Sequence, residues 1–331
     1  MKKLAGKKLA GKKTVTRFAP SPTGRLHLGH AFSAMLAHDF ARARGGDFLL
    51  RIEDIDPGRS RVAFVDGIVE DLRWLGLEFD GEVVRQSERL PLYAQALDGL
   101  RARGLVYPCF CTRAAIAAEI AASAAAPHGP DGPIYPGTCR ALAPEEAEQR
   151  RTREPHAWRL DMAASTSILP GTGRGTARAS ERWRGQPEEG AAFAASNELA
   201  APPLTWTDHG RPVPADPRAF GDVVLARKDA PTSYHLAVTI DDAAQGITDI
   251  VRGQDLYAAT HVHRLLQALL GLPSPIYHHH RLIADAQGRR LAKRHGAPTM
   301  ASLRAAGVDP AALVESLRAN RFPAGYSAAA T

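Results

Sequence analysis

The stretch from Thr14 to Phe40 constrains this chain more than any other. Thr14 to Ala19 reads as a short buried strand, and Pro20-Ser21-Pro22-Thr23-Gly24 is a turn. Beyond it Ala31, Met35, Leu36 and Phe40 recur at helical spacing. His27 and His30 fall where strand gives way to helix, with Gly29 between them. The N–H groups and dipole of a helix start attract phosphate, and a glycine lets a flat ring or a ribose approach the backbone. Two imidazoles one turn apart can donate to phosphate oxygens, so the pattern suits a nucleoside triphosphate. A pair of surface histidines capping a helix is the plainer alternative.

The rest of the chain alternates in the same way. A strand is expected at 48–53 and helices at about 60–76 and 89–103, with Val65, Ile68, Val69, Leu72 and Leu75 on one helical face. Together with residues 14–47 these make the first half, 14–105, of a Rossmann-like parallel α/β domain. An inserted connective region is expected at 106–221. It holds an Ala-rich helix at 112–126, a Pro/Gly loop at 127–139 and a long flexible loop over 163–203. The second half of the sheet domain, 222–270, is expected to contain a strand at 222–227, a strand near 234–240, a turn at Asp241-Asp242, a strand at 250–252 and a helix at about 256–270. Residues 271–331 should supply a strand at 276–283, a loop at 284–298, two short helices to 322 and a frayed end from Ser327.

The chain has 331 residues and a net charge of +7, but the charge is local. Residues 1–13 hold six lysines and no acid, and without them 36 basic residues face 35 acidic ones. This KKLAG-repeating tail reads as disordered: either a salt-sensitive tether for RNA phosphates or a solvated extension. Beyond the tail only Lys228 and Lys293 are lysines, so each calls for a reason. No apolar run approaches a membrane span, and the lysines interrupt any secretory h-region. Three cysteines do not make a disulfide framework, which fits a reducing cytoplasm.

RFAPSPTGRLHLGHA, residues 17–31, resembles the first nucleotide-binding motif of class I aminoacyl-tRNA synthetases in its glutamyl form. Four further segments follow in the family's order. Arg51-Ile-Glu-Asp-Ile-Asp56 is similar to the RIEDTD stretch, and the likeness implies that Glu53 binds the α-amino group of glutamate. Ser233-Tyr-His-Leu-Ala-Val238, followed by Asp241-Asp242, resembles the amino-acid pocket, with Tyr234 over the α-amino end. Val238 stands where many full-length glutamyl synthetases have Asn, which matches the truncated paralogues better. Ile250-Val-Arg-Gly-Gln-Asp255 would bring Arg252 to the substrate's side-chain carboxylate. A planar guanidinium suits that task, although an ion pair between Arg252 and Asp255 is the simpler alternative. Arg17 and Ser21 complete the implied glutamate set. Gly288-Arg-Arg-Leu-Ala-Lys-Arg294 occupies the place of the KMSKS motif, with Arg290 and Ala292 replacing Lys and Ser and with Lys293 kept. The implied ATP set is His27, Gly29, His30 and Lys293, of which His27, His30 and Lys293 would stabilise developing charge.

Cys109, Cys111 and Cys139 could supply three thiolates to a tetrahedral zinc, or could be buried and inert. His128 is a possible substitute ligand. The Tyr135…Cys139 pair resembles the zinc site of the glutamyl-queuosine synthetase family, which implies one structural Zn²⁺ held by Cys109, Cys111, Tyr135 and Cys139. His278-His279-His280 cannot all ligate one metal, because strand neighbours point to opposite faces.

The likeness spans residues 15–300 and extends to the glutamyl-queuosine family as a whole, a paralogue of the catalytic half of glutamyl-tRNA synthetase without its anticodon-binding domain. Only 38 residues follow Lys293, which fits that paralogue. The resemblance implies a cytoplasmic, monomeric ligase without membrane partners. It would activate glutamate with ATP and Mg²⁺ in the absence of tRNA and esterify queuosine in the anticodon of tRNA(Asp). The rivals are a short glutamyl-tRNA synthetase charging tRNA(Glu) and an inactive paralogue that only binds tRNA or nucleotide.

Overall fold

The computed structural model describes residues 13–122, 128–130, 132–169, 203–291 and 298–329. Nearly all of the basic tail, residues 170–202 of the expected loop, and Lys293 lie outside them.

The opening strand, turn and helix form as the sequence predicts. Strand β1 (Val15–Phe18) leads into helix α1 (Leu28–Arg42), then β2 (Asp47–Ile52), α2 (Val62–Trp74), β3 (Val84–Arg85) and α3 (Leu90–Ala102). β1, β2 and β3 pair in parallel in that order. Residues 106–167 bring β4 (Val106–Cys109), α4 (Arg113–Ala122), the hairpin β5 (His128–Gly129) and β6 (Gly132–Pro133), α5 (Pro144–Arg153), β7 (Ala157–Leu160) and α6 (Met162–Ser167). The expected loops are therefore partly ordered. Part of 127–139 is a hairpin, and 163–203 begins as a helix because Asp161 caps it, accepting from the Ala164 N–H at 2.9 Å.

β8 (Thr205–Asp208), β9 (Arg211–Pro214) and β10 (Val224–Ala226) follow, and β10 closes an antiparallel sheet with β7 and β4. Next comes helix α7 (Tyr234–Ala244), where the sequence predicts a strand and a turn. The alternation of Tyr234, Leu236, Val238 and Ile240 suggests a strand, but Leu236 through Thr239 are all buried, as are Asp241 and Asp242. An element buried on successive positions hides its period. The Ser233 hydroxyl at the N-cap, accepting from Leu236 N, starts the helix. Asp241 and Asp242 consequently lie in the last turns of α7 rather than in a turn.

β11 (Asp249–Gly253), α8 (Ala259–Leu270) and β12 (Ile276–His280) follow, with β12 parallel to both β11 and β8 in a sheet of order β11-β12-β8-β9. Thr248, just before β11, ties it to β1: its N–H donates to the Val15 carbonyl at 3.0 Å. The chain ends with β13 (Ile283–Asp285), α9 (Met300–Ala305), α10 (Pro310–Arg318) and β14 (Tyr326–Ala328). β14 pairs antiparallel with β13, so the end expected to fray is held through Ala328.

The two largest apolar clusters among the described residues back this frame. One joins α1, β2 and α2 to Leu313, Val314 and Leu317 of α10. The other joins α3, β7, α7 and α8 through Leu100, Leu160, Leu236 and Leu266. Among the described residues no helix is long and apolar enough to cross a membrane.

Candidate active site

A cleft of about 450 Å³ opens between the ends of β1, β2 and β11. Its lining includes Arg17, Ser21, His27, Gly29, His30, Glu53, Tyr234, Arg252 and Arg290. Residues far apart in sequence thus meet in one place, at the carboxyl ends of parallel strands where such sheets bind ligands.

At one end His27 caps α1. Its Nδ1 accepts from Gly29 N at 3.1 Å, while His30 Nδ1 accepts from His27 N at 3.1 Å. In each neutral ring the proton is therefore on Nε2, the atom able to donate to a phosphate oxygen. The rings lie 3.7 Å apart, tilted by 35°. A Cβ at position 29 would come within 3.1 Å of the His27 ring, which glycine avoids.

The middle of the cleft is charged and closely matched. Three arginines are buried among the described residues: Arg17, Arg51 and Arg252. Asp242 pairs with two of them, receiving Arg17 Nε at 2.9 Å and Arg51 Nη1 at 2.8 Å. Burial alone would raise the Asp242 carboxyl, but the two guanidinium groups overcome it and hold the pKa below the ordinary 3.8. Asp241, one residue back, accepts from Tyr93 OH at 2.8 Å, Gln86 Nε2 at 2.8 Å and Arg89 Nε at 2.7 Å. Glu53 lies 3.5 Å from Arg51, with a side chain 8% exposed. Of the other acids in its segment, Asp54 caps Ser87 and Asp56 pairs with Arg59 and Arg227. The sequence puts Asp241 and Asp242 directly after the pocket segment but gives neither this role, because a turn would expose both.

Burial raises the Glu53 pKa above 4.5 against the pull of Arg51 and Arg17. Between 4.5 and the raised native value, the unfolded chain has lost a proton that native Glu53 keeps. Stability therefore falls as pH rises through that window. Glu53→Gln is expected to melt higher than the parent at pH 8 and equally at pH 4, while binding glutamate less well. Melting curves that shift by the same amount at both pH values would show that Glu53 is not the source.

Arg252 has no acid of its own. Among the described residues no carboxylate lies within ion-pair distance of it, and Asp255 pairs instead with Arg290 at 2.7 Å. The simple Arg252–Asp255 pair is therefore absent. The guanidinium donates to Thr260 Oγ1 at 2.6 Å, the Leu256 carbonyl at 3.0 Å, His279 Nε2 at 3.2 Å and Tyr234 OH at 3.4 Å, all neutral groups. Val238 is buried in α7 and is not part of the lining.

The three cysteines converge outside the cleft, with their sulfurs within 4.8 Å of one another. Tyr135 OH lies 3.5 Å from both Cys109 Sγ and Cys111 Sγ, and Cys111 Sγ lies 3.5 Å from Cys139 Sγ. A zinc–sulfur bond of about 2.3 Å implies a tetrahedral edge of about 3.8 Å, so this cluster is close to the size of such a site. His128, on the exposed hairpin, is not in the cluster. Lys228 donates to the Phe110 carbonyl at 2.6 Å, which gives that rare lysine a structural purpose.

The comparisons agree on the kind of protein. The model of the catalytic domain of class I tRNA synthetases (E and Q) matches residues 13–169 and 199–327. The glutamyl-Q tRNA(Asp) synthetase of Rhodobacter capsulatus is 50% identical over 300 residues, covering 90% of this chain and 97% of that one. The glutamyl-Q tRNA(Asp) synthetase of Symbiobacterium thermophilum is 42% identical over 311 residues, covering 91% and 84%. Among solved structures, a glutamate tRNA ligase from Elizabethkingia meningosepticum in complex with its amino acid superposes with a TM-score of 0.64 at 27% identity. The match covers 87% of this chain and 54% of that ligase, so the chain spans about half of its length.

Proposed function

The chain belongs to the class I (E and Q) tRNA synthetase catalytic-domain family and, within it, to the glutamyl-Q tRNA(Asp) synthetases, and from that membership and the cleft we infer how it works. It is an ATP-dependent ligase that activates glutamate and transfers it to queuosine of tRNA(Asp). The observation that carries the glutamate reading is the buried, acid-free Arg252 in one cleft with the histidine pair and Glu53.

In this reading the substrate's side-chain carboxylate meets Arg252, and its α-ammonium lies by Glu53 and Tyr234. The fixed arginine Arg17 and the hydroxyl of Ser21 hold the α-carboxylate toward ATP. An α-carboxylate oxygen attacks the α-phosphorus in line and pyrophosphate leaves. The Nε2–H groups of His27 and His30 donate to phosphate oxygens as charge develops on them. Mg²⁺ enters with ATP as part of the substrate and adds charge neutralisation. Lys293, outside the described residues, would assist by neutralising the leaving pyrophosphate. A ring hydroxyl of queuosine then attacks the adenylate carbonyl and AMP leaves. Single-stranded anticodon bases can reach an open cleft for this step.

Cys109, Cys111, Tyr135 and Cys139 would hold one Zn²⁺. Four protein ligands leave no open position, so its contribution would be to stability. Purified protein is expected to carry about one zinc per chain. Cys139→Ser should lose most of that metal and melt earlier, yet keep the glutamate KM in its folded fraction. Full zinc occupancy in Cys139→Ser would remove Cys139 from the ligand set.

We further read the enzyme as a cytoplasmic monomer that needs no tRNA for the first step. Glutamate-dependent ATP–pyrophosphate exchange without tRNA tests that step. Glutamate transfer to tRNA(Asp) with queuosine, tRNA(Asp) without it and tRNA(Glu) tests the second. Charging of tRNA(Glu), or exchange that starts only when tRNA is added, would favour a short glutamyl-tRNA synthetase.

A further inference from the structure

The histidine run at 278–280 is divided among three tasks. His278 pairs with Asp249, and His280 Nε2 lies 3.0 Å from Ser33 Oγ. His279 points inward. It is the register partner of Arg252 across the parallel strands β11 and β12, and the neighbouring strand β8 brings Asp208 to its other side. Arg252 Nε can only donate, so His279 Nε2, 3.2 Å away, must present its lone pair. The ring proton is then on Nδ1, 3.0 Å from Asp208 Oδ1. Rings of Trp206, Tyr257 and Tyr277 surround the imidazole, with centroids 5.1 to 5.8 Å away. His263, fully inside the fold, turns Nδ1 toward Arg252 Nη1 at 3.5 Å and Nε2 toward His235 Nδ1 at 3.2 Å.

Arg17 and Arg51 share Asp242, and Arg51 also lies 3.5 Å from Glu53 and 3.9 Å from Asp241, whereas Arg252 is surrounded by groups that solvate it without cancelling its charge. Asp208 is near enough to set the tautomer of His279 but is one imidazole removed from the guanidinium. We propose that His279, oriented by Asp208, is a positioning residue that keeps Arg252 charged, fixed and unpaired, and thereby sets the preference for glutamate over glutamine. A neutral amide cannot supply the missing anion, so the uncompensated cation penalises it. Burial and the Arg252 charge push His279 and His263 well below the usual histidine range, to about 4 for His279, which keeps the cradle neutral at physiological pH. This inference rests on the reading that Arg252 receives the side-chain carboxylate.

The test places an acid where the imidazole stands. His279→Glu supplies Arg252 with an internal partner, while His279→Gln retains a neutral acceptor toward Arg252 and an N–H toward Asp208. Exchange would be measured with glutamate and with glutamine. His279→Glu should raise the glutamate KM about tenfold or more and reduce the preference over glutamine by a similar factor, with little change in kcat. His279→Gln should stay close to the parent in both. An unchanged KM and preference in His279→Glu overturns the proposal, as does an equal loss in His279→Gln, which would signify packing alone. If circular dichroism shows His279→Glu unfolded, Asp208→Ala replaces it: a raised glutamate KM at constant ATP KM supports the proposal and an unchanged one overturns it. Arg252→Lys separates the two levels of inference. No change in its glutamate KM would reject the reading of Arg252 itself, whereas a rise there with none in His279→Glu would reject only the role of His279.

Discussion

Arg252→Ala should lower kcat/KM for glutamate by about 10²-fold or more in pyrophosphate exchange, through the glutamate KM above all. A hydrogen bond to a charged group contributes about 1.5–3 kcal/mol, and a carboxylate left unpaired in a buried site adds its own penalty. The ATP KM should hardly move, because the histidine pair that would face the phosphates sits at the N-terminus of α1, whereas Arg252 is held by Thr260, Leu256, His279 and Tyr234. The fold should survive. In the unliganded protein Arg252 is a buried cation without an acid, so its removal relieves a desolvated charge even as it leaves a small void. A variant that melts near the parent temperature yet no longer responds to glutamate is the expected result. An unchanged glutamate KM would remove Arg252 from the pocket.

The sequence makes the outer parts of this site legible and leaves its centre hidden. β1, the Pro-Ser-Pro-Thr-Gly turn and α1 could be read because their signals are local: turn residues, a helical repeat and a cap within one short stretch. Arg252 and Glu53 are at strand ends, where a charged residue interrupts an apolar run. Asp242 follows the pocket segment, but nothing local shows what it holds. Its importance comes from Arg17 and Arg51, 225 and 191 residues away in sequence, and spacing cannot reveal such partners. The misread helix α7 compounded this, since a surface turn gives a pair of aspartates a sufficient reason to exist. His279 was hidden for the opposite reason. Two neighbouring histidines with unrelated partners made the run look like one feature, and only the register of β11 against β12 separates them. The cysteines, by contrast, could be paired with Tyr135 from resemblance, and the cluster has dimensions that composition alone could not give.

Asp242→Asn should show how far the centre of the site depends on that hidden residue. Asp242 is the shared anion of Arg17 and Arg51, and through Arg51 it helps position Glu53. Asparagine keeps the shape, but the two guanidinium groups that share Oδ1 lose their anion, and Arg17 Nη2 loses Oδ2 as its acceptor. Breaking a buried pair by removing one partner costs about 3–5 kcal/mol, and the melting temperature should fall by several degrees. Activity should fall further than stability explains, by about 10²-fold in kcat/KM for glutamate, because both α-ammonium and α-carboxylate contacts lose their alignment. Asp241→Asn is the matched control. Asp241 is equally buried and accepts from Tyr93, Gln86 and Arg89, but it lies one contact farther from the cleft and its removal leaves Arg17 paired. It should cost comparable stability while its folded fraction keeps most of the exchange activity. Equal activity losses in the two folded variants would mean that the aspartates only hold α7 in place, and that Arg17 and Glu53 do not rely on Asp242 for their alignment.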